Sequence, residues 1–396
     1  MRRIRAPLEV LLAFLPLGLT SFGGPVAHLG YFRAEFVARR RWLDEAGFAD
    51  IVALCQFLPG PASSQTGMAL GLLRAGLPGA FCAWFGFTLP SALALILFGY
   101  GVDSLGDVAG AKWLHGLKIV AVAVVAQAVW GMARSLAPDR PRATLAGAAA
   151  ILALAVPAAA GQVAAILLGG LLGWRFLRDP APGTAEPLPL RVGKLWSIAA
   201  LALFFALLIG LPAAARASGN HALAVIASFY RSGALVFGGG HVVLPLLQAS
   251  VVPPGWVGND AFLAGYGAAQ AVPGPLFTFS AYLGTVMVPA PHGWQGGLIC
   301  LGAIFLPSFL LVVGALPFWS ALRGNQAMRA ALSGVNAAVV GLLLAALYHP
   351  VWTNAIFGAP DVVLAIAAFL LLAVWRAPPW LVVFLGALGA EAIAAI

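Results

Sequence analysis

The chain has 396 residues, of which 62% are hydrophobic and 9% are charged. This composition exceeds what a soluble core requires, and apolar stretches of about 20 residues recur along the chain. We therefore predict an all-α polytopic membrane protein embedded in a lipid bilayer. The net charge of +9 is mostly arginine in short loops, so no nucleic-acid partner is predicted.

The polar residue types exclude several classes of site. Cys55, Cys82 and Cys300 lie in apolar stretches without CxxC or Cys/His spacing, so neither a disulfide framework nor a metal site is predicted. No HExxH or Ser/His/Asp arrangement appears. We therefore expect no enzyme and no cofactor. A receptor or structural role is an alternative, but it gives no reason for the helix breaks described next.

Two apolar stretches of the first half are broken by glycine and proline. Residues 1–5 are basic and lead without a cleavage site into the stretch 8–32, so we predict that they are retained and cytoplasmic. Glycines and a proline at 23–25 break this stretch, and 59–61 break the stretch 48–73. Breakers release backbone N–H and C=O groups, which a membrane tolerates only beside protein or an aqueous cavity. The breaks are thus predicted to mark the substrate path.

The second half repeats the first. An offset of 214 residues relates Gln56 to Gln270, and an offset of 218 relates Gly116 to Gly334. A duplication of this kind is common in transporters, which bind substrate near the midplane between the halves. We predict four segments, namely a first half over 1–177, a linker over 178–194, an unpaired transmembrane helix over 195–217 and a second half over 218–396.

Arginines predict how the two copies are oriented. The loop after the first break holds Arg33, Arg39, Arg40 and Arg41, whereas its counterpart at 250–260 has no basic residue. Positive short loops stay in the cytoplasm, so equivalent loops lie on opposite faces and the repeat is inverted.

A re-entrant hairpin at 8–32 keeps both flanking basic clusters inside, whereas a single crossing would expose one of them. We therefore predict four re-entrant broken-helix hairpins, at 8–32, 48–73, 222–247 and 262–286. The predicted crossings are 77–100, 113–132, 143–157, 158–174, 195–215, 294–316, 328–348, 361–375 and 381–395. This scheme places the N-terminus in the cytoplasm and the C-terminus outside. A scheme of full crossings remains an alternative.

The polarity of the broken helices favours an anion. Each helix that resumes after a break directs its N–H groups and positive dipole end into the gap, and residues 62–66 add hydroxyl and amide donors. Arg231 is a candidate fixed cation, and His28 and His241 are candidates for titration. Alternatively, the glycines only allow close packing and the hydroxyls bond back to carbonyls. The predicted substrate-binding residues are Gly23, Gly24, Pro25, His28, Gln56, Pro59, Gly60, Pro61, Ser63, Ser64, Gln65, Thr66, Arg231, Gly238, Gly239, His241, Gln270, Pro273, Gly274, Pro275, Thr278 and Ser280.

Other charged residues receive less specific predictions. Lys118 lies near the outer end of its helix, where its ammonium group is expected to snorkel. Glu35 and Asp50 are candidates for proton coupling, but they lie beside the arginine cluster, where salt bridging is the expected role. Glu391 is a candidate for proton coupling, with a helix end at the interface as the alternative.

The breaks and the loop between them resemble the chromate ion transporter family in its long, two-domain form. The resemblance rests on Phe22-Gly23-Gly24-Pro25, the Arg40-Arg41-Trp42 turn, Gln56-x-x-Pro59-Gly60-Pro61, and the second-half Phe237-Gly238-Gly239 and Pro273-Gly274-Pro275. It covers nearly the whole chain apart from the linker.

The resemblance implies export of chromate from the bacterial cytoplasm through the inner (plasma) membrane, driven by the proton or electrical gradient, with sulfate as the chemical analogue. The second copy has Gly240 in place of Pro25 and lacks the Ser63-Ser64 pair, so binding roles do not transfer directly to it. A proton-coupled carrier for uptake of sulfate or another oxyanion is the alternative. The choice between monomer and homodimer stays open.

Overall fold

The computed structural model describes residues 2–104, 112–156, 159–177, 193–237, 240–319 and 324–394, so most of the predicted linker lies outside it. Within these ranges the chain is helical and contains no strand. The helices are α1 Arg2–Thr20, α2 Gly24–Phe32, α3 Glu45–Phe57, α4 Ala62–Ser104, α5 Lys112–Leu136, α6 Arg140–Ala155, α7 Ala159–Phe176, α8 Lys194–Ser218, α9 His221–Ala234, α10 Val243–Val251, α11 Asn259–Ala271, α12 Phe279–Val286, α13 Gly293–Ala315, α14 Gln326–Ala346, α15 Ala359–Ala373 and α16 Pro379–Ala394.

Five helical stretches are long and apolar enough to cross a membrane. They are Ala62–Val102, Lys112–Leu136, Lys194–Ser218, Gly293–Phe318 and Gln326–Trp352. Shorter apolar helices accompany them, including α1, α7, α15 and α16. Long apolar helices with large lipid-compatible side chains on their surfaces are what a bilayer requires. The predicted all-α polytopic membrane protein is confirmed.

The broken stretches of the first half turn back on themselves. Arg74, at the end of the second stretch, forms a salt bridge of 3.0 Å with Glu9 in α1. The Arg74 guanidinium also lies 5.3 Å from the ring centroid of Trp42, between the two stretches. The chain therefore returns to one end of the molecule by residue 42 and again by residue 74.

The second half follows the same course. The backbone N–H of Val288 donates to the carbonyl of Trp256 over 3.0 Å, and the rings of Trp256 and His221 lie 4.9 Å apart. His221 begins α9, Trp256 separates the two broken stretches, and Val288 follows the second stretch. His221, Trp256 and Val288 therefore lie close together at one end of the second half, as Glu9, Trp42 and Arg74 do in the first half.

Helix α4 folds over at Ala75 and Gly76, where Gly76 has a φ of +68°. The two limbs then pack so closely that a Cβ added at Gly71 would overlap the carbonyl of Gly79. Only glycine permits such an approach of two helix backbones. The fold-over joins the second broken stretch to the long apolar limb 77–104.

Glycine contacts also join helices of the two halves. A Cβ at Gly116 in α5 would overlap the carbonyl of Gly386 in α16. At the equivalent place, a Cβ at Gly334 in α14 would overlap the carbonyl of Gly169 in α7. Each half thus contributes one partner to each of two closely packed helix pairs.

Candidate functional site

Among the described residues, segments at the helix breaks of one half contact segments of the other half at two places. In the first junction, residues 21–25 of the first half lie against residues 272–276 of the second, and the N–H of Gly274 donates to the Ser21 carbonyl over 2.9 Å. In the second junction, residues 58–61 lie against residues 235–237, and the N–H of Gly60 donates to the Val236 carbonyl over 2.6 Å. Backbone groups released by one half are therefore satisfied by the other.

Left-handed backbone at the breaks requires glycine. Gly60 has a φ of +128° and Gly274 a φ of +102°. A Cβ at Gly274 would lie 2.8 Å from Ser91 Oγ, and a Cβ at Gly60 would lie 2.7 Å from Ser308 Oγ. Conformation and space therefore both exclude larger residues at these positions.

A cavity of about 90 Å³ opens at the first junction. None of the residues that line it is acidic, and two helical starts, at Gly24 and at Leu276, face it. The lining residues are Ser21, Gly23, Gly24, Pro25, Val124, Gln127, His241, Ala269, Gln270, Val272, Gly274, Leu276, Leu372 and Pro379.

Several polar atoms at this cavity have no partner within the described chain. Ser21 Oγ and Gln270 Nε2 are buried and make no hydrogen bond. His241 Nδ1 lies 2.8 Å from the Tyr266 hydroxyl, and no bond to its Nε2 is found among the described residues. When Tyr266 donates to Nδ1, the imidazole carries its proton on Nε2 as a further donor. Buried donors without acceptors indicate a place for a ligand.

His28 and Ser63 lie outside this lining and bond to each other. His28 Nε2 is 3.2 Å from the Ser21 carbonyl, which can only accept, so Nε2 carries the proton. His28 Nδ1 is 3.2 Å from Ser63 Oγ and accepts from it in the neutral ring. The pair fixes the start of α4 against the first break and leaves no Ser63 hydrogen for a ligand.

Three other predicted hydroxyls bond to their own helical turns. Thr66 donates to the Ala62 carbonyl over 2.8 Å, Thr278 to the Pro275 carbonyl over 2.7 Å and Ser280 to the Phe277 carbonyl over 2.7 Å. These contacts match the back-bonding alternative to anion binding.

The remaining predicted donors lie around the second junction. Gln65 Nε2 donates to the Pro59 carbonyl over 2.7 Å, while Gln65 Oε1 and Ser64 Oγ are buried without partners in the described chain. Gln56 is exposed, unlike its counterpart Gln270. Pro61 is the last residue before α4 begins at Ala62. In the second half, Pro273 and Pro275 lie on either side of Gly274, between the end of α11 and the helical turn that begins at Leu276. The structure thus brings the predicted residues together as two groups.

Arg231 lies apart from the first junction. It lines a cavity of about 10 Å³ with Gln162, Ser232 and residues of α10. The predicted site residues Gly238 and Gly239 lie outside the described residues. Arg231 is close in sequence to the second junction and does not line the 90 Å³ cavity of the first junction.

A family model described as "Chromate transporter" matches residues 8–174 and again residues 223–390. The chain belongs to the chromate transporter family. The "Chromate transport protein" of Pseudomonas aeruginosa is 29% identical over 85% of this chain and 79% of its own length. That of Cupriavidus metallidurans is 28% identical over 85% of this chain and 81% of its own length. No solved structure matches the chain.

Membership of the chromate transporter family confirms the resemblance found in the sequence. Together with the long apolar helices, it makes the chain a multi-pass protein of a bacterial membrane. Between them the two matched ranges leave out residues 175–222, which include the predicted linker and α8, the helix predicted to be unpaired.

Two polar residues that line the cavity of the first junction, Ser21 and Gln127, were not predicted from the sequence. Ser21 follows the last residue of α1 and resembles an ordinary helix end, and Gln127 lies within α5, remote from any break. Comparison of the two copies could have drawn attention to Ser21, because the equivalent residue of the second half is Val236. A hydroxyl at only one of two equivalent positions marks a difference in chemistry between the copies.

Charged residues outside the junctions have structural partners. Glu35 forms salt bridges with Arg39 and Arg40, which confirms its predicted pairing. Asp50 accepts a hydrogen bond of 2.9 Å from Trp319 Nε1. Lys118 was expected to snorkel, but it is buried and bonds to Asp260 over 3.0 Å.

Glu391 lies near the C-terminal end of α16, where it contacts the first turn of α5. Its Oε1 accepts a hydrogen bond of 2.9 Å from the backbone N–H of Trp113 in the first turn of α5. A carboxylate at a helix N-terminus is stabilised by the free N–H groups and the helix dipole. A structural role at a helix end, which was the alternative to proton coupling, accounts for this contact of Glu391.

Proposed function

We propose that the chain exports chromate, or a closely similar tetrahedral oxyanion, from the cytoplasm by alternating access. The anion binds in the cavity of the first junction. The observation that carries this proposal is the cavity itself, where both halves meet, buried donors lack acceptors and no carboxylate is present.

Two helical starts contribute to the proposed affinity for an anion. Helix α2 begins at Gly24 and the helical turn before α12 begins at Leu276, and both positions line the cavity. The N–H groups left free in the first turn of a helix and its positive dipole end favour negative charge, more strongly in a low-dielectric protein interior than in water. None of the described residues that line the cavity is a lysine or an arginine, so the proposed donors are uncharged groups.

We further propose that the two halves form an inverted repeat of re-entrant hairpins. The matched backbone bonds of Gly60 and Gly274 support a two-fold relation between halves, and the doubled family match supports the duplication. Transport then consists of rocking one half against the other, which opens the first junction on one side of the membrane at a time.

Arg231, Ser64 and Gln65 have a proposed role near the second junction. The positive charge of Arg231 raises the local concentration of anions. When that junction opens, the unpaired Ser64 hydroxyl can donate to the anion, and Gln65 Oε1 can accept from water. The electrical gradient favours this export, because an inside-negative potential expels anions at about 2.3 kcal/mol per charge per 100 mV.

Everted membrane vesicles that contain the full chain test this function. We expect them to accumulate labelled chromate when an interior-positive potential is imposed, with unlabelled sulfate as a competitor. Vesicles without the protein are the control. Absence of chromate flux contradicts the proposal, and proton-driven sulfate movement toward the cytoplasmic face instead favours the uptake alternative.

The inverted-repeat scheme makes a separate prediction about topology. A reporter enzyme that is active only outside the cytoplasm should be active when fused to the C-terminus, after residue 396. The matched control is the same reporter fused after residue 185, within the basic linker, where it should be inactive. A cytoplasmic C-terminus contradicts both the hairpin scheme and the scheme of full crossings. A third fusion, after Arg41, separates them, because paired hairpins keep Arg41 in the cytoplasm, so an active reporter there favours full crossings.

A further inference from the structure

Ser21 is buried at the first junction with an unused hydroxyl. It follows the end of α1, is 0% exposed and lines the 90 Å³ cavity. Its Oγ has no hydrogen-bond partner within the described chain. By comparison, the buried hydroxyl of Ser280 donates to a carbonyl three residues earlier. A buried hydroxyl without a partner costs free energy unless something else accepts its hydrogen.

The backbone around Ser21 is fixed without help from that hydroxyl. The Ser21 N–H donates to the Leu17 carbonyl over 2.9 Å. The Ser21 carbonyl accepts from Gly274 N–H over 2.9 Å and from His28 Nε2 over 3.2 Å. Three bonds therefore hold the residue in place before any ligand binds, which is the preorganisation that a binding site needs.

The other half shows that the hydroxyl is not needed to build a junction. Val236 stands at the position equivalent to Ser21, and its carbonyl accepts from Gly60 N–H as that of Ser21 accepts from Gly274 N–H. Valine has no hydroxyl, yet the backbone contact between the halves is the same. The serine hydroxyl therefore has a purpose other than folding the break.

We propose that Ser21 is an anion-binding residue, whose hydroxyl donates its hydrogen to one oxygen of the transported tetrahedral oxyanion. The inference rests on the proposed function and adds a ligand contact to it. Gln270 Nε2, which is also buried and unpaired at the same cavity, is the companion donor. Since Val236 occupies the equivalent place, this side-chain contact exists at one junction only.

Binding of chromate to the purified full-length protein, together with flux in everted vesicles, tests the assignment. A hydrogen bond to a charged ligand predicts that Ser21→Ala weakens chromate binding by about tenfold or more. Ser197→Ala is the matched control, because Ser197 lies in α8 away from both junctions and its equally buried hydroxyl already donates to the Val313 carbonyl over 2.9 Å. We expect no change in affinity for that variant.

A second variant guards against effects on folding. Ser21→Cys keeps nearly the same volume but replaces a strong donor by a weak one, so it should also lose affinity while keeping the wild-type unfolding midpoint. Unchanged affinity in both Ser21 variants overturns the role of Ser21. If the wild-type protein neither binds nor moves chromate, the proposed function itself fails, which is a different result.

Discussion

Replacement of Gly274 by valine should abolish transport. Gly274 has a φ of +102°, and an added Cβ would lie 2.8 Å from Ser91 Oγ and 3.2 Å from the Phe87 carbonyl. The left-handed backbone and the overlap together cost about 2–5 kcal/mol. The chain relieves this cost by moving the break, which pulls the Gly274 N–H from the Ser21 carbonyl and opens the first junction.

Chromate flux in everted vesicles measures the effect, and the amount of inserted protein is measured in parallel. Gly302→Val is the matched control, because Gly302 lies in α13 with no heavy atom within 4 Å of its added Cβ. That variant should insert and transport like the wild-type protein. If Gly274→Val transports normally, the first junction is not on the transport path.

The breaks were predictable from the sequence because glycine and proline act locally. The breaks at 23–25 and 59–61 follow the observed ends of α1 and α3, where Gly23 and Gly60 adopt positive φ. Isolated prolines such as Pro16 and Pro90 instead lie within helices. The turn of α4 at Gly76 separates the stretches that were predicted as 48–73 and 77–100. Local backbone preference thus accounts for most of the predicted order of helices.

The pairing of breaks was not predictable in the same way. The bond from Gly274 to Ser21 joins residues more than half the chain apart, and it involves only backbone atoms, which carry no sequence signal. Arg231 illustrates the same difficulty, because its depth in an apolar stretch was visible but its neighbours were not. Which break faces which is decided by packing of the two halves.

The partners of buried charges were also hidden in the sequence. Lys118 looked like a residue that reaches the interface, because one helix alone shows only its distance from the end. The structure adds Asp260 from α11, which accepts from Lys118 Nζ over 3.0 Å, and the ring of Phe357, whose centroid lies 5.9 Å from Nζ. An ammonium group with these neighbours does not need to reach water.

Removal of Asp260 should therefore destabilise the protein more than removal of Lys118. The Lys118 side chain is 9% exposed and that of Asp260 is 54% exposed. Asp260→Leu leaves a buried ammonium group without its carboxylate. Because the pair is half-exposed at Asp260, we expect a loss between that of an exposed pair, about 1 kcal/mol, and that of a fully buried one, about 3–5 kcal/mol. Lys118→Met removes the buried charge and leaves a carboxylate that water can solvate, so we expect a change within about 1 kcal/mol.

Thermal unfolding of the purified variants in detergent distinguishes the two cases, and the double variant Lys118→Met/Asp260→Leu completes the cycle. Because the double variant contains neither charge, it should recover most of the stability lost in Asp260→Leu. Equal destabilisation by both single variants contradicts the asymmetry. It would mean that Asp260 depends on Lys118 as much as Lys118 depends on Asp260, despite their different exposure to solvent.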